Sequence, residues 1–302
     1  MPSDIDTIVD RRRLKRRVAF WRFAAVIAII LAILAFASKS SGLFVGDHIA
    51  RISLNGLITG NPQRIALLDK IAKDNSVKAL IVRIDSPGGT ITGSEELYHA
   101  LRRVAARKPV VGVIGSVGAS GAYIAALATD HIFARETSMT GSIGVIFQAP
   151  EISGLMDKLG IKVQQISSGP LKGDPSEFAP MSDKARQVYK ALIMDGYDWF
   201  TGLVAKRRNL PLDEVKRLAD GRVYTGRQAV GDKLIDAIGG ERDARAWLAS
   251  DRKISANLPV RDEDIDRERR LVDRLFSYVG GKSLLTERLT LDGLVALWHP
   301  TE

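Results

Sequence analysis

The 302 residues contain no cysteine and only four histidines, His48, His99, His131 and His299. The first absence excludes disulfides, thiolate metal sites and a cysteine nucleophile, and leaves the redox compartment unassigned. The second argues against a His-rich metal centre. No clear internal repeat is found, so a solenoid or propeller is not indicated. Acidic residues are outnumbered, 35 against 44 Lys and Arg, for a formal charge of +9. That excess would suit nucleic acid if it formed a patch, but its placement says otherwise. Residues 1–22 alone hold seven basic side chains against Asp4, Asp6 and Asp10, directly before an apolar run. A basic cluster there is a membrane-topology signal, and no nucleic-acid partner is expected.

From Val18 to Ser38 the chain is almost wholly apolar, and Phe23 to Ala37 is unbroken. About 20 helical residues cross a bilayer's hydrocarbon core, so one spanning helix is expected. Trp21 suits the interface, and Arg22 can reach back to the headgroups. Positive residues stay inside, which puts 1–17 in the cytoplasm and everything after the span outside it. Ala35-Phe-Ala37 also has the form of a signal-peptide cleavage site. The long charged lead and full-length span favour an uncleaved anchor. Residues 39–47 read as a Ser/Gly linker.

Beyond it, apolar segments alternate between two periods. His48–Gly56, Val77–Asp85, Val110–Ile114, His131–Ala134, Ile143–Phe147 and Lys162–Ile166 read as strands. Pro62–Asn75, Ser94–Arg107, Asp183–Arg208 with Ser182 as N-cap, Leu212–Ala219, Gly226–Gly231 and Glu241–Ala249 read as helices. Strands separated by helices predict an α/β layered fold with mostly parallel strands. A globular domain over 48–250 is followed by 251–302, read as a peripheral charged and amphipathic tail.

Val110 to Thr129 holds the sharpest local signal. A short β-branched strand runs into Gly115, Gly118 and Gly121, which are expected to supply the backbone freedom for a sharp turn, and Ala122–Ala128 follow as a buried helix. A serine at such a strand-to-helix turn carries its hydroxyl to the tip of a sheet, beside free helix N–H groups. The bend resembles the G-x-S-x-G elbow of hydrolases, although Ala122 stands where the last glycine would be. Ser120 is therefore the candidate nucleophile. Ser86-Pro-Gly-Gly89 ends another strand at the same sheet edge, where ligands of such folds bind. Its Gly88 or Gly89 N–H, with that of Gly121, can converge on a developing oxyanion.

A base is harder to read. None of the histidines shows an arrangement favouring a Ser-His-Asp triad. A lysine can serve if burial brings its pKa from about 10.4 to about 7–8, a bias of roughly 3–4 kcal/mol. Lys172 differs from the other lysines in lying in a Gly/Pro-bounded loop, Ser167 to Pro175, although spacing alone reads it as an ordinary loop lysine. Ser142, in Thr140-Gly-Ser-Ile-Gly144, can orient a neutral lysine or simply cap a turn.

Five segments in order, Asp85-Ser-Pro-Gly-Gly89, Gly118-Ala-Ser-Gly-Ala-Tyr123, Thr140-Gly-Ser-Ile-Gly-Val145, Ser168-Gly-Pro-Leu-Lys-Gly-Asp174 and Gly221-Arg-Val-Tyr-Thr-Gly-Arg227, resemble the signal peptide peptidase A family. The resemblance covers roughly residues 45–245. It implies a membrane-anchored serine protease of crotonase and Clp-protease-like fold, with layered parallel sheets and flanking helices. It places the family's Ser/Lys dyad on Ser120 and Lys172, its lysine-proximal serine on Ser142, and oxyanion donors on Gly88 and Gly89. The short form, with one catalytic unit per chain, implies a ring-like homo-oligomer; in the long form serine and lysine lie in different halves. Together these imply an endopeptidase cutting remnant signal peptides and similar unfolded peptides near the outer surface of the inner membrane, without metal or cofactor. An acyl-CoA enzyme of the crotonase type and an inactive membrane scaffold are the rival readings.

Overall fold

Three apolar segments, His48–Ile58 (β1), Val77–Thr90 (β2) and Val110–Ala119 (β3), pair in parallel to form the centre of a mixed, mostly parallel sheet. The computed structural model describes residues 16–30, 46–263 and 295–297. Along β2 the side chains sort by the two-residue period of a strand: Leu80, Val82 and Ile84 enter one core cluster, Ala79 and Ile81 the other. Both faces are therefore covered, as a mostly parallel sheet requires.

The larger cluster is roofed by helices Pro62–Lys73 (α1), Ile91–Ala105 (α2), Gly121–Leu127 (α3) and the 26-residue Asp183–Arg208 (α5), through Leu68, Leu101, Ile124 and Phe200. The smaller one is closed by Glu241–Arg252 (α8), through Ala244 and Leu248. Asn61, Thr90 and Ser182 cap α1, α2 and α5, each accepting a first-turn N–H with its side-chain oxygen. Short elements complete the order: strands His131–Ala134 (β4) and Met139–Gly141 (β5), helices Ser153–Lys158 (α4), Leu212–Leu218 (α6) and Gly226–Gly231 (α7), and strands Val223–Thr225 (β6) and Ala237–Ile238 (β7).

Three expectations need correction. Ile143–Phe147 is not a strand; the pairing residues are Met139–Gly141, just upstream, which join β3 in parallel and β6 antiparallel. Lys162–Ile166 is not one either: it alternates apolar and polar, but nothing among the described residues pairs with it, and Ile166 is 99% exposed. The domain does not end at 250. Val260–Asp262 (β8) joins the sheet beside β1, and the Arg51 guanidinium ties β8 to α8 through Asp262 at 2.6 Å and Glu241 at 2.8 Å. Val295–Leu297 (β9), also from the expected tail, pairs antiparallel with β2 at Gly88–Thr90. The described strands are all connected by hydrogen bonds, and the sheet forks at β3, where Val111–Ile114 pair with β4 and Val117–Ala119 with β5.

Residues 1–46 form a separate unit, of which 16–30 are helical and mostly exposed. Among the described residues no helix is long and apolar enough to cross a membrane; residues 31–38 of the expected span lie outside them.

Candidate active site

Strand register brings most of the predicted groups to one end of the sheet. Ser86 of β2 stands opposite Gly118 of β3, and Ala119 of β3 opposite Gly141 of β5. The glycine turn at Gly88–Gly89, the elbow at Ser120–Gly121 and the turn at Gly141–Ser142 thus share that edge.

The elbow is built differently from the sequence expectation. Gly115, Gly118 and Gly121 do not carry the unusual backbone angles; Ser120 itself does, at φ 55° and ψ −119°. The glycines are needed for space instead. A Cβ at Gly118 would stand 2.9 Å from Ile114 Cγ2, and one at Gly115 would stand 3.0 Å from the Asp85 carboxylate. A serine held in a glycine-favoured region stores about 1–3 kcal/mol, which persists only where the surroundings over-determine it. Here the Ser120 N–H donates to the Gly141 carbonyl at 2.8 Å, and its carbonyl accepts the Ile124 N–H at 3.1 Å. Ser120→Gly should therefore be more stable than Ser120→Ala by about 1 kcal/mol in denaturant unfolding, after the glycine's own entropic cost is subtracted. Equal stabilities would mean that position 120 is not strained.

The Ser120 residue is 1% exposed, and its hydroxyl makes no cap bond to α3. The first-turn N–H groups of a helix have no intrahelical acceptors, and that of Gly121 points out of the helix with no hydrogen bond to the described residues. A free hydroxyl beside a free helix N–H is the pairing an attack on a carbonyl requires. Across the edge, the Gly88 N–H is already engaged: it donates to the buried Ser86 Oγ at 3.1 Å. Gly88 has φ 112°, and a Cβ at Gly89 would come within 1.8 Å of the Ile58 carbonyl, so the first glycine is dictated by its backbone angle and the second by the close approach of β1.

Ser142 is buried beside this edge, at φ 50°, with its N–H donated to the Arg222 carbonyl at 2.8 Å. Gly141 carries φ 80° and lies so close to the Tyr224 ring that a Cβ would meet it at 2.6 Å. The Tyr224 hydroxyl in turn donates to the Leu218 carbonyl at 2.8 Å. The motif over Gly221–Arg227 is thus the back wall of the Ser142 turn.

Lys172 makes no hydrogen bond to Ser120 in the single chain. Its side chain is exposed, and among the described residues the amine has no hydrogen-bond or ion-pair partner. The loop carrying it is held by its own backbone: the Lys172 N–H donates to the Gly169 carbonyl at 3.1 Å, and its carbonyl accepts from Gln165 Nε2 at 3.1 Å. On either side of that loop in sequence lie apolar side chains that are not buried among the described residues. Helix α4 buries no side chain at all, and Leu155, Leu159, Ile161, Val163 and Ile166 face solvent.

The histidines offer no substitute base. His131 stacks on Trp247 at 4.8 Å and lies against Phe133 at 4.5 Å; burial lowers its pKa, and its Nε2 has no partner among the described residues. His99 is exposed beside Glu95 on α2. His48 is buried 3.8 Å from Glu263, and His299 lies outside the described residues. No cluster of metal-ligating side chains occurs among the described residues. Sequence reading missed Asp85, Ser138 and Thr140 as individual groups: their side chains bond the backbone leading to Ser120, a relation set by strand register that no local pattern reveals.

Comparison with known proteins gives the family. Residues 102–255 match Peptidase family S49. A putative protease of the cyanobacterium Synechocystis is 39% identical over 203 residues, covering 67% of this chain and 73% of its own. A putative signal peptide peptidase SppA of Enterococcus faecium is 37% identical over 221 residues, covering 68% and 64%. Protease 4 of Haemophilus influenzae is 35% identical over 212 residues; the match takes 66% of this chain but 34% of that longer protein.

Proposed function

This chain belongs to peptidase family S49, and from that premise we infer that it is a membrane-anchored serine endopeptidase whose nucleophile is Ser120. The observation that carries this reading is the elbow: a strained, buried serine with an uncapped hydroxyl beside the open Gly121 N–H. The Synechocystis and Enterococcus relatives are described as a putative protease and a putative signal peptide peptidase, which supports peptide hydrolysis and makes remnant signal peptides the proposed substrates.

In this reading the neutral Lys172 amine takes the Ser120 proton as Oγ attacks the scissile carbonyl. The oxyanion is held by the Gly121 N–H and by the glycine turn across the edge, where Ser86 must share or release Gly88. The C–N bond then breaks, the lysine ammonium gives its proton to the leaving amine, and the peptide's acyl half stays on Ser120. The lysine next activates a water for deacylation, restoring the serine. Ser142 orients the amine. An extended substrate pairs by its backbone with β2 at Gly88–Thr90, taking the antiparallel place that β9 holds in the single chain, so that β9 is displaced when substrate binds.

Lys172 is exposed while Ser120 is buried, and no hydrogen bond joins them, so in this reading the base comes from a second copy, and the exposed apolar side chains beside Lys172 are the contact that delivers it. The span at residues 18–38 tethers each copy, with the catalytic domain on the extracytoplasmic side.

The direct test is a fluorophosphonate reacted with the detergent-solubilised full chain and located by mass spectrometry. One adduct, on Ser120, is expected, and Ser120→Ala should lose both the adduct and at least about three orders of magnitude of peptide cleavage. An adduct on another serine, or undiminished cleavage by the alanine variant, would reject the assignment.

A further inference from the structure

Three residues before Ser120, the sheet is irregular. Ile84 pairs with Ile114 and Ser86 with Gly118, so the single residue Asp85 on β2 faces Gly115, Ser116 and Val117 on β3. Two extra residues make a bulge, which bends its strand and leaves backbone groups outside the ladder. Such groups must find other partners if they are to stay out of water. Here side chains provide them. Asp85 Oδ1 accepts the Val117 N–H at 3.1 Å. Ser138 Oγ, which accepts the Arg135 N–H at 2.9 Å, donates to the Gly115 carbonyl at 2.5 Å. Thr140 Oγ1 donates to the Gly118 carbonyl at 2.7 Å.

We propose that Asp85 is the positioning residue for Ser120, its carboxylate closing the β3 bulge so that the strand delivers the nucleophile to the edge in one orientation. Of the three bonds, only that from Asp85 crosses from the strand bearing the glycine turn to the strand bearing the serine. It therefore sets the distance between the two halves of the site, whereas Ser138 and Thr140 brace β3 from the β5 side. Gly115 belongs to the same device: its missing Cβ is what leaves room for the second carboxylate oxygen. The role needs a hydrogen-bond acceptor at position 85 and no charge, so asparagine, whose amide oxygen accepts equally, should fill it, and alanine should not. Displacement of a reacting atom by about 1 Å costs roughly a hundredfold in rate, so the lever is long for a bond this far from the hydroxyl.

This inference rests on Ser120 as the nucleophile, and the experiment separates the two. The full chain in detergent is treated with fluorophosphonate, and the rate of adduct formation at Ser120 is measured beside kcat and KM for a peptide. For Asp85→Ala the labelling rate and kcat should both fall by about 10- to 100-fold with KM little changed, while Asp85→Asn stays within about threefold of the parent. Thr140→Val, which removes the brace without touching β2, should give a smaller fall in the same two rates and serves if the alanine variant does not fold. A labelling rate at Ser120 unchanged in Asp85→Ala, or in Thr140→Val where the former cannot be prepared, overturns the positioning role. Loss in Asp85→Asn as deep as in Asp85→Ala overturns it as well, since charge and not the acceptor would then matter. If the parent is labelled at a serine other than Ser120, the nucleophile reading fails first, and this one falls with it.

Discussion

Neither Ser120→Ala nor Lys172→Ala should cleave peptide alone, but the two co-expressed in one membrane should recover cleavage. The reason is geometric. Ser120 is buried at the sheet edge, and Lys172 is exposed on a loop with no hydrogen bond to it. If the dyad were completed within each chain, every molecule in the mixture would lack one member and nothing would be regained. If each site joins the serine of one copy to the lysine of the next, a head-to-tail ring assembled at random from equal amounts holds both intact groups at about a quarter of its sites. Recovery to about a quarter of parental activity is thus the expected value, against single-variant losses of about a thousandfold or more. Differently tagged chains, purified through both tags in sequence, give assemblies known to contain both. No recovery in such assemblies would place the base elsewhere than Lys172 of a neighbour.

The same contrast between local and assembled structure explains what the sequence made legible. Apolar runs rich in β-branched residues, such as Val77–Ile84 and Val110–Ile114, favour burial in a sheet, and they formed the central strands. Helix α5 was readable at both ends, from the Ser182 cap to Asn209, which takes the left-handed conformation that ends it. The elbow was found, but its strain was assigned to the wrong residues. Glycines invite the inference of positive φ, whereas Gly115 and Gly118 serve to make space and the strain falls on the serine. Val163 and Ile166 show the limit from the other side. Alternation identifies a segment that would bury one face, but a strand exists only when another strand bonds to it, and the described residues supply none. Asp85, Ser138 and Thr140 were invisible for a related reason: a polar residue in a strand gives no local sign of which bulge it will close.

The second large effect concerns that unpaired face. Leu159 is 64% exposed and Ile166 99% exposed in the single chain, so Leu159→Asp combined with Ile166→Asp removes almost no buried contact from the domain. Exposed substitutions of this kind usually change stability by no more than about 0.5 kcal/mol, and thermal unfolding of the monomeric domain should hardly move. Covering those carboxylates with a second copy is another matter, because an unpaired charge taken out of water costs several kcal/mol. The double variant should therefore sediment as a smaller species than the parent. Its peptide cleavage should fall nearly as far as that of Lys172→Ala, although both catalytic residues are present. Ser250→Asp, which adds charge on α8 away from this face, is the control and should leave size and rate unchanged. Full activity in a double variant that sediments as a monomer would show that one chain can complete the site alone. Loss of activity with assembly intact would mean that the apolar face holds the substrate and not a second copy.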